Sequence, residues 1–304
     1  MNSELLAIII LTYNESVHIK RCIESAKDLT ENIYVIDSFS NDNTQRIVLG
    51  LGAKFYQHQW ENNHSKQFNW GLEHLPIDAK WILRLDADEY FTDELIKEIN
   101  TKLPNLPEEV SGVFLKRRVY FMDRWIKHGN YYPTYLLRIW RNGIGKYEER
   151  WMDEHIKLNN GKSVIFANDF IDNNINGLTM WINKHNNYAT REAVDLLNIK
   201  YSFDRKEGLN PVLNSTQDRR KRWFKENLYS KLPLFIRPFI YFIYRYFFRL
   251  GFLDGVAGLI WHFLQGFWYR FLVDAKIYEI ERMASKDHKN ISEIIHRFYN
   301  IKIR

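Results

Sequence analysis

Residues 5–11 form an unbroken apolar run, rich in isoleucine, that stops at Thr12-Tyr13-Asn14-Glu15. A short run without polar alternation fits a strand covered on both faces, as in a parallel sheet. That need for two covering layers limits the fold more than any other feature of the chain. The residues that follow meet it. Val17, Ile19, Cys22, Ile23 and Ala26 recur at near-helical spacing, with Asn14 or Ser16 as a cap and Glu15 near the positive end. Residues 33–36 read as a second strand that ends in Asp37. Asp42 or Asn43 then caps a helix through Ile47 and Leu49, and Gly52 closes it. Residues 54–58 are a third strand, 65–74 a helix and 81–85 a fourth strand. This repeated alternation predicts an α/β fold with a mostly parallel central sheet flanked by helices, binding ligands beyond the carboxyl ends of the strands.

The fourth strand runs into Arg84-Leu85-Asp86-Ala87-Asp88-Glu89, where carboxylates gather at a strand end. Such a group is suited to holding a hard divalent cation against a diphosphate. An EF-hand loop is excluded: Tyr90 and Phe91 stand where an oxygen ligand and a glycine are needed, and Lys97 replaces the bidentate Glu. A dinucleotide-binding dehydrogenase would need a glycine-rich turn after the first strand, where this chain has Thr-Tyr-Asn-Glu. Phosphatases with an aspartyl nucleophile carry Asp-x-Asp after the first strand, and here it follows the fourth.

The ordered set Thr12-Tyr13-Asn14-Glu15, Asp37-Ser38-x-Ser-x-Asp42, Lys66-Gln67-x-Asn69 and Asp86-Ala87-Asp88-Glu89 resembles the family 2 glycosyltransferases with a GT-A fold. The resemblance covers roughly the first 200 residues, and the set is more specific than any one member. Within the family it looks like bacterial enzymes that extend lipopolysaccharide core or exopolysaccharide chains. It implies that Thr12, Tyr13, Asn14, Glu15, Asp37 and Ser38 line the nucleotide pocket, and an acidic residue at a strand end suits ribose hydroxyls. Lys66 and Asn69 would lie near the pyrophosphate or base. Asp86 and Ala87 would border the nucleotide sugar, with Asp86 and Asp88 as metal ligands and Asp88 the more direct one. All-oxygen coordination implies Mg2+ or Mn2+ and not zinc.

Transfer with inversion needs a base for the acceptor hydroxyl and stabilisation of the departing nucleoside diphosphate. The resemblance assigns the base to an acidic residue in Glu149-Arg150-Trp151-Met152-Asp153-Glu154-His155. Flanking apolar side chains there would raise a carboxyl pKa by desolvation. The segment departs from the commoner Glu-Asp or His-Glu forms, so Asp153 and Glu154 both stand as the base, with Glu154 favoured. His155 would complete the metal shell or bind a phosphate. The single cysteine, Cys22, lies on the apolar side of the first helix, excludes an intramolecular disulfide and is compatible with a reducing cytoplasm.

Residues 113–118 and 135–141 read as further strands separated by aromatic segments, 120–125 and 131–135, whose rings suit donor or acceptor recognition. A helix follows over 178–197. Beyond about residue 200 the composition turns basic and aromatic, so 1–200 is expected to be the catalytic domain and 201–304 a helical extension. Arg219-Arg220-Lys221-Arg222 opens this tail. Arg237, Tyr241, Arg245 and Arg249 then share one helical face, opposite a face of phenylalanines and isoleucines. That pattern predicts an interfacial helix with cations toward anionic headgroups. The fifteen residues 255–269 carry no formal charge with His262 neutral, but fall short of the roughly 18 to 20 that span a bilayer.

The formal net charge of +6 also suits nucleic acid, but no recognition helix, zinc spacing or aromatic-basic RNA motif is present, and no nucleic-acid partner is expected. Residues 5–11 lack a basic leader and run into the fold, unlike a secretory signal. The expected partners are a UDP-linked nucleotide-sugar donor that gives up a hexose, a saccharide or lipid-linked acceptor, and the inner face of the cell membrane. Two other classes compete: a membrane-bound scaffold with a glycosyltransferase-like fold, and a glycoside hydrolase with two carboxylates facing across a sugar.

Overall fold

A computed structural model describes residues 4–61, 63–148, 156–201, 229, 232–288, 290–299 and 301. The chain divides into two compact units. The first runs to Ile175, apart from Trp151–Asp153, and the second holds Asn176–Arg304. The helix expected over 178–197 belongs to the second unit.

In the first unit, Leu6–Thr12 (β1), Ile33–Asp37 (β2), Lys54–Gln57 (β3) and Trp81–Asp86 (β4) lie in the order β3-β2-β1-β4, all parallel. The sheet continues through Thr134–Arg141 (β8), Val110–Phe121 (β6), Lys162–Asn173 (β11) and Glu89–Phe91 (β5). Here β8 is antiparallel to both β4 and β6, β5 is antiparallel to β11, and β11 is parallel to β6. The sheet is therefore mixed, with its parallel half built from the first four strands. Arg124–Trp125 (β7) forms a hairpin on β6, and Gly145–Tyr147 (β9) pairs with Ile156–Leu158 (β10).

Residues 6–10 bury both pleat faces completely. Leu6, Ile8 and Ile10 join one core with Ile19–Lys27 (α1), Thr44–Gly50 (α2) and Asp93–Lys102 (α4). Ala7 and Ile9 join a second core with Phe68 of His64–His74 (α3) and with β9 and β10. Gly71 lets α3 approach the sheet, since a Cβ there would lie 2.2 Å from Ile36 Cδ1. The start of α1 departs from expectation. Asn14 and Ser16 do not cap it: the helix opens at Ile19 behind an N-cap His18 that makes no side-chain cap bond, and Val17 is exposed. Asn14 sits instead at φ +56, with Oδ1 accepting from Asn41 N at 2.9 Å. Asp42, not Asn43, receives the first amide of α2, from Thr44 N at 2.9 Å.

The second unit contains Gly177–Tyr201 (α5), Ile236–Ile243 (α6), Gly255–Trp261 (α7), Tyr269–Asp287 (α8) and Ile291–Tyr299 (α9), with π-helical stretches at Tyr244–Phe248 and His262–Trp268. Its core joins Ala189, Ala193 and Leu197 of α5 to Val273, Ile277 and Ile280 of α8 and to Ile294 and Ile295 of α9. The expected outward row of cations is overturned at Arg237 and Arg245, while Arg249 is exposed. Arg237 is 3% exposed and donates from Nε to Asp274 Oδ1 at 2.8 Å, and Arg245 is buried with Tyr241 OH beside it. A carboxylate on α8 captures the cation, so α6 turns its charged side in and its apolar side out. Ile236, Phe239, Ile240, Ile243, Phe247 and Phe248 are exposed. Among the described residues no single helix is long and apolar enough to cross a membrane, although Ile236–Phe248 with Gly251–Asp287 forms an apolar pair bent by 71°.

His185 of α5 stacks on Trp181 at 3.5 Å between ring centroids, donates from Nδ1 to Trp181 O at 2.8 Å, and meets Tyr188 and Tyr269 edge-on. Burial pulls its pKa from 6.5 down to about 4. The unfolded chain thus binds a proton between these values that the folded chain does not, so stability present above pH 6.5 is lost as the pH falls toward 4. Urea unfolding from pH 7 to 4 is expected to show a shallower loss for His185→Gln than for wild type; equal slopes would exclude His185 as the cause.

Candidate functional site

The carboxyl ends of β1 and β2 are joined through Asp37, which is fully buried. Its Oδ1 accepts from Thr12 Oγ1 at 2.8 Å and from Ser40 Oγ at 2.5 Å, and its Oδ2 accepts from Ser40 N at 2.7 Å. Ser40 Oγ in turn accepts from Asn14 N at 2.7 Å. Ser38 N donates to Thr12 O at 2.9 Å, and Ser38 Oγ accepts from Gln67 Nε2 at 3.1 Å. Thr12, Asn14, Asp37 and Ser38 are thus brought together, with Asp37 binding the loops to each other. Tyr13, 59% exposed, and Phe39, 52% exposed, are side chains this knot leaves facing out. Glu15 Oε2 accepts from His18 Nδ1 at 2.6 Å, while His18 Nε2 accepts from Ile175 N at 2.9 Å, which fixes the ring proton on Nδ1.

Next to these loops, β4 delivers Arg84 and Asp86. Arg84 donates from Nε to Asp86 Oδ1 at 2.9 Å and from Nη2 to Asp86 Oδ2 at 3.1 Å, a fork-to-fork pair. A second guanidinium arrives from β8. Leu137 pairs with Phe114 and Ile139 with Val113, so Arg138 is the extra residue of a β-bulge. A bulge re-aims a side chain. Arg138, 4% exposed, donates to Glu89 Oε1 at 2.5 Å and lies 3.5 Å from Asp86 Oδ2. Glu89 Oε2 accepts from Asp86 N at 2.9 Å, which closes the ring of contacts. Burial alone would raise the Asp86 pKa, but the Arg84 and Arg138 guanidiniums outweigh it and hold the carboxyl well below its usual range. Burial pushes the Glu89 carboxyl up; Arg138 opposes that, and the charges of Asp86, Asp172 and Asp88 reinforce it.

Asp88 follows on the turn into β5. Its Oδ2 accepts from Asn174 Nδ2 at 2.9 Å, and its backbone carbonyl accepts from Arg21 Nη2 at 3.2 Å and from Asn173 N at 3.1 Å. The end of β11 therefore fixes this residue while Oδ1 stays clear of the bonds that hold the other oxygen. A half-buried carboxylate with one oxygen so disposed, beside the ionised Asp86, is a hard-oxygen donor set that fits Mg2+ or Mn2+. Among the described residues no group of three His, Cys, Asp or Glu side chains is assembled to hold a metal. His155, Asp153 and Glu154 lie outside the described residues.

Other predicted residues have structural partners. Asn69 is 5% exposed, and its amide makes paired bonds with the Tyr147 backbone at 2.9 and 3.0 Å, fastening α3 to β9. Lys66 Nζ pairs with Glu61 at 2.7 Å on the surface. Ala87 is buried in the core beneath the turn, and Cys22 is fully buried near the Asp86 carbonyl. Sequence reasoning left Arg84 without a role and missed Arg138, His18, Arg21 and Asn174. Only Arg84, within the carboxylate string, had a local signal; the others approach through tertiary structure.

Residues 7–173 match the family model for glycosyl transferase family 2. The lipopolysaccharide core biosynthesis glycosyltransferase LpsC of Rhizobium meliloti (strain 1021) is 27% identical over 296 residues, spanning 95% of this chain and 97% of that protein. An uncharacterized glycosyltransferase of Rickettsia typhi (strain ATCC VR-144 / Wilmington) is 26% identical over 287 residues, spanning 90% and 87% of the two chains. Among solved structures, S. aureus TarS 1–349 is similar at 14% identity and a TM-score of 0.46, with 94% and 92% of the two chains covered.

Removing one partner of a buried ion pair leaves an uncompensated charge and costs about 3 to 5 kcal/mol. Arg138→Met is expected to destabilise the protein on that order, and adding Glu89→Gln is expected to recover a substantial part in denaturant titrations. Strict additivity of the two changes would show that the contact does not couple them.

Proposed function

The chain belongs to glycosyl transferase family 2 and is a glycosyltransferase, and we propose that it transfers a hexose with inversion from a UDP-linked donor to a hydroxyl of a saccharide or lipid-linked acceptor. The observation that carries this reading is the pairing of two loops knotted by Asp37 with the Asp86 and Asp88 carboxylates, all at the carboxyl ends of adjacent parallel strands. The likeness over nearly the whole chain to a protein named for lipopolysaccharide core biosynthesis supports an acceptor of that class.

In this reading the loops at Thr12 to Glu15 and at Asp37 and Ser38 hold the nucleoside, while Asp88 and Asp86 hold a divalent ion. When bound, that ion neutralises charge on the leaving diphosphate. Arg84 and Arg138 keep Asp86 ionised and oriented, so the carboxylate needs little rearrangement as donor arrives. Glu154 or Asp153 takes the proton of the acceptor hydroxyl. Either Glu154→Gln or Asp153→Asn is expected to lose most of kcat while donor binding persists; if neither does, the base lies elsewhere.

Donor binding has a readout independent of turnover. A ligand at about 100 times its Kd adds roughly 2.7 kcal/mol to folding stability. Wild type is expected to gain thermal stability only with UDP and Mn2+ together, and Asp88→Asn is expected to lose that gain while keeping its unliganded Tm. A shift retained in Asp88→Asn would remove the metal assignment, and no shift with UDP in wild type would remove the UDP-donor assignment.

The second unit supports a peripheral position on the cytoplasmic membrane face. Along Ile236–Phe248 and the turn after it, Phe239, Ile243, Phe247, Phe248, Phe252 and Val256 are exposed, a composition suited to the acyl boundary of a bilayer. Wild type is expected to float with phosphatidylcholine/phosphatidylglycerol vesicles. Phe247→Ser combined with Phe248→Ser is expected to reduce the bound fraction severalfold without altering the UDP-dependent thermal shift; unchanged flotation would refute the membrane role of this ridge.

A further inference from the structure

A cluster outside the carboxylate site holds more positive charge than it neutralises. Residues 116–135 carry Lys116, Arg117, Arg118, Arg124 and Lys127 against one acid, Asp123. β11 adds Asp169 and Asp172. Asp169, 3% exposed, serves three donors: Arg118 Nε at 2.6 Å, Lys116 Nζ at 3.6 Å and Tyr132 OH at 3.0 Å. Asp172 takes Arg117 Nη1 at 3.3 Å. Two carboxylates thus answer three cations, and Arg124 and Lys127 make no ion pair among the described residues.

Lys127 shares a ring with one of the paired cations. The Arg118 guanidinium lies 4.8 Å from the Trp125 ring centroid and Lys127 Nζ lies 5.2 Å from the same centroid, while Tyr132 meets that ring edge-on. One indole therefore collects two cations, of which Arg118 is answered by Asp169 and Lys127 has no ion-pair partner among the described residues. Donors are in excess as well, since Trp125 Nε1 and Arg117 Nε are buried with no acceptor among the described residues. The platform is firmly built. Phe121 pairs with Arg124 across a two-residue turn in which Met122 and Asp123 both take positive φ, +49 and +58, and the fully buried Ile126 donates to Val119 O at 2.9 Å. Like charges held close on a fixed frame repel unless an anion joins them.

Its position indicates which anion. In the sheet order this cluster lies on β6, β7 and β11, across β4 and β8 from the strands that carry the nucleotide loops. The registers Asp172↔Glu89 and Asp169↔Lys116 place it along β11 from the carboxylates. We propose that this platform is an acceptor subsite that takes an anionic substituent, phosphate or carboxylate, on the sugar to be extended. Lys127 and Arg118, held on Trp125, supply the charge at the ring, and the exposed Arg124 adds a further cation on the same hairpin. The inference rests on the transferase reading and deepens it by naming the acceptor class. A planar guanidinium beside an ammonium suits phosphate oxygens best.

The test uses the full-length protein and three probes, glucose 6-phosphate, glucuronate and methyl glucoside, with Kd measured by ligand-observed NMR. Wild type is expected to bind glucose 6-phosphate about tenfold more tightly than methyl glucoside. Arg124→Gln combined with Lys127→Gln, both exposed and without an ion pair among the described residues, is expected to erase that preference while the UDP and Mn2+ thermal shift stays intact. Glucuronate binding as tightly as the phosphate makes the subsite one for carboxylates too; weaker binding restricts it to phosphate. Equal binding of the neutral sugar, no binding of either anion, or an undiminished preference in the double variant would overturn the proposal. Loss of the thermal shift in wild type would instead count against the donor reading.

Discussion

The end of the fourth strand depends on an electrostatic arrangement that no single segment could provide. Asp86 and Glu89 are three residues apart, share one turn, and are linked through the Asp86 amide. Two carboxylates so placed would repel and tend to protonate. Arg84 from the same strand and Arg138 from a neighbouring strand reverse that tendency for Asp86. Arg138 reaches the pair because a bulge in β8 removes it from the regular pleat. The bulge, the buried guanidinium and the turn at Asp88 thus form one unit of structure, and disturbing any of them reaches the others.

The first half of the fold was legible because its hydrophobic pattern has one solution. Residues 6–10 are apolar at every position, and the two cores on either side of β1 are the direct consequence. The strand ends at Thr12, Asp37 and Asp86 followed from the same logic, which is why the carboxylates and the loops beside them could be chosen from sequence. The capping of α1 was not legible. Asn14 competes for several backbone partners, and the bond to Asn41, 27 residues away, wins only once the loops meet.

Long-range partners explain most of the rest. Arg138 sits in the string Leu136-Leu137-Arg138-Ile139-Trp140, where alternation would place it on a regular face and gives no sign of a bulge. Asn69, expected near the pyrophosphate or base, bonds the Tyr147 backbone of β9 through its amide. The tail shows the same limit in the opposite sense. A helical wheel separated cations from aromatics correctly, yet could not say which side would face in, because the deciding residue, Asp274, is 37 positions beyond Arg237.

That inversion gives the exposed ridge of the second unit a distinct physical character. With Arg237 tied to Asp274 and Arg245 buried inside the unit, a surface resting on the ridge would be held mainly by removal of apolar area from water, with Arg249 the exposed cation beside Phe247 and Phe248. Such adhesion is nearly indifferent to ionic strength and weakens on cooling, whereas attraction between surface charges fades with added salt. The helix that the sequence suggested would turn its cations outward instead presents an apolar surface, whose contacts would answer to temperature more than to the ionic medium around them.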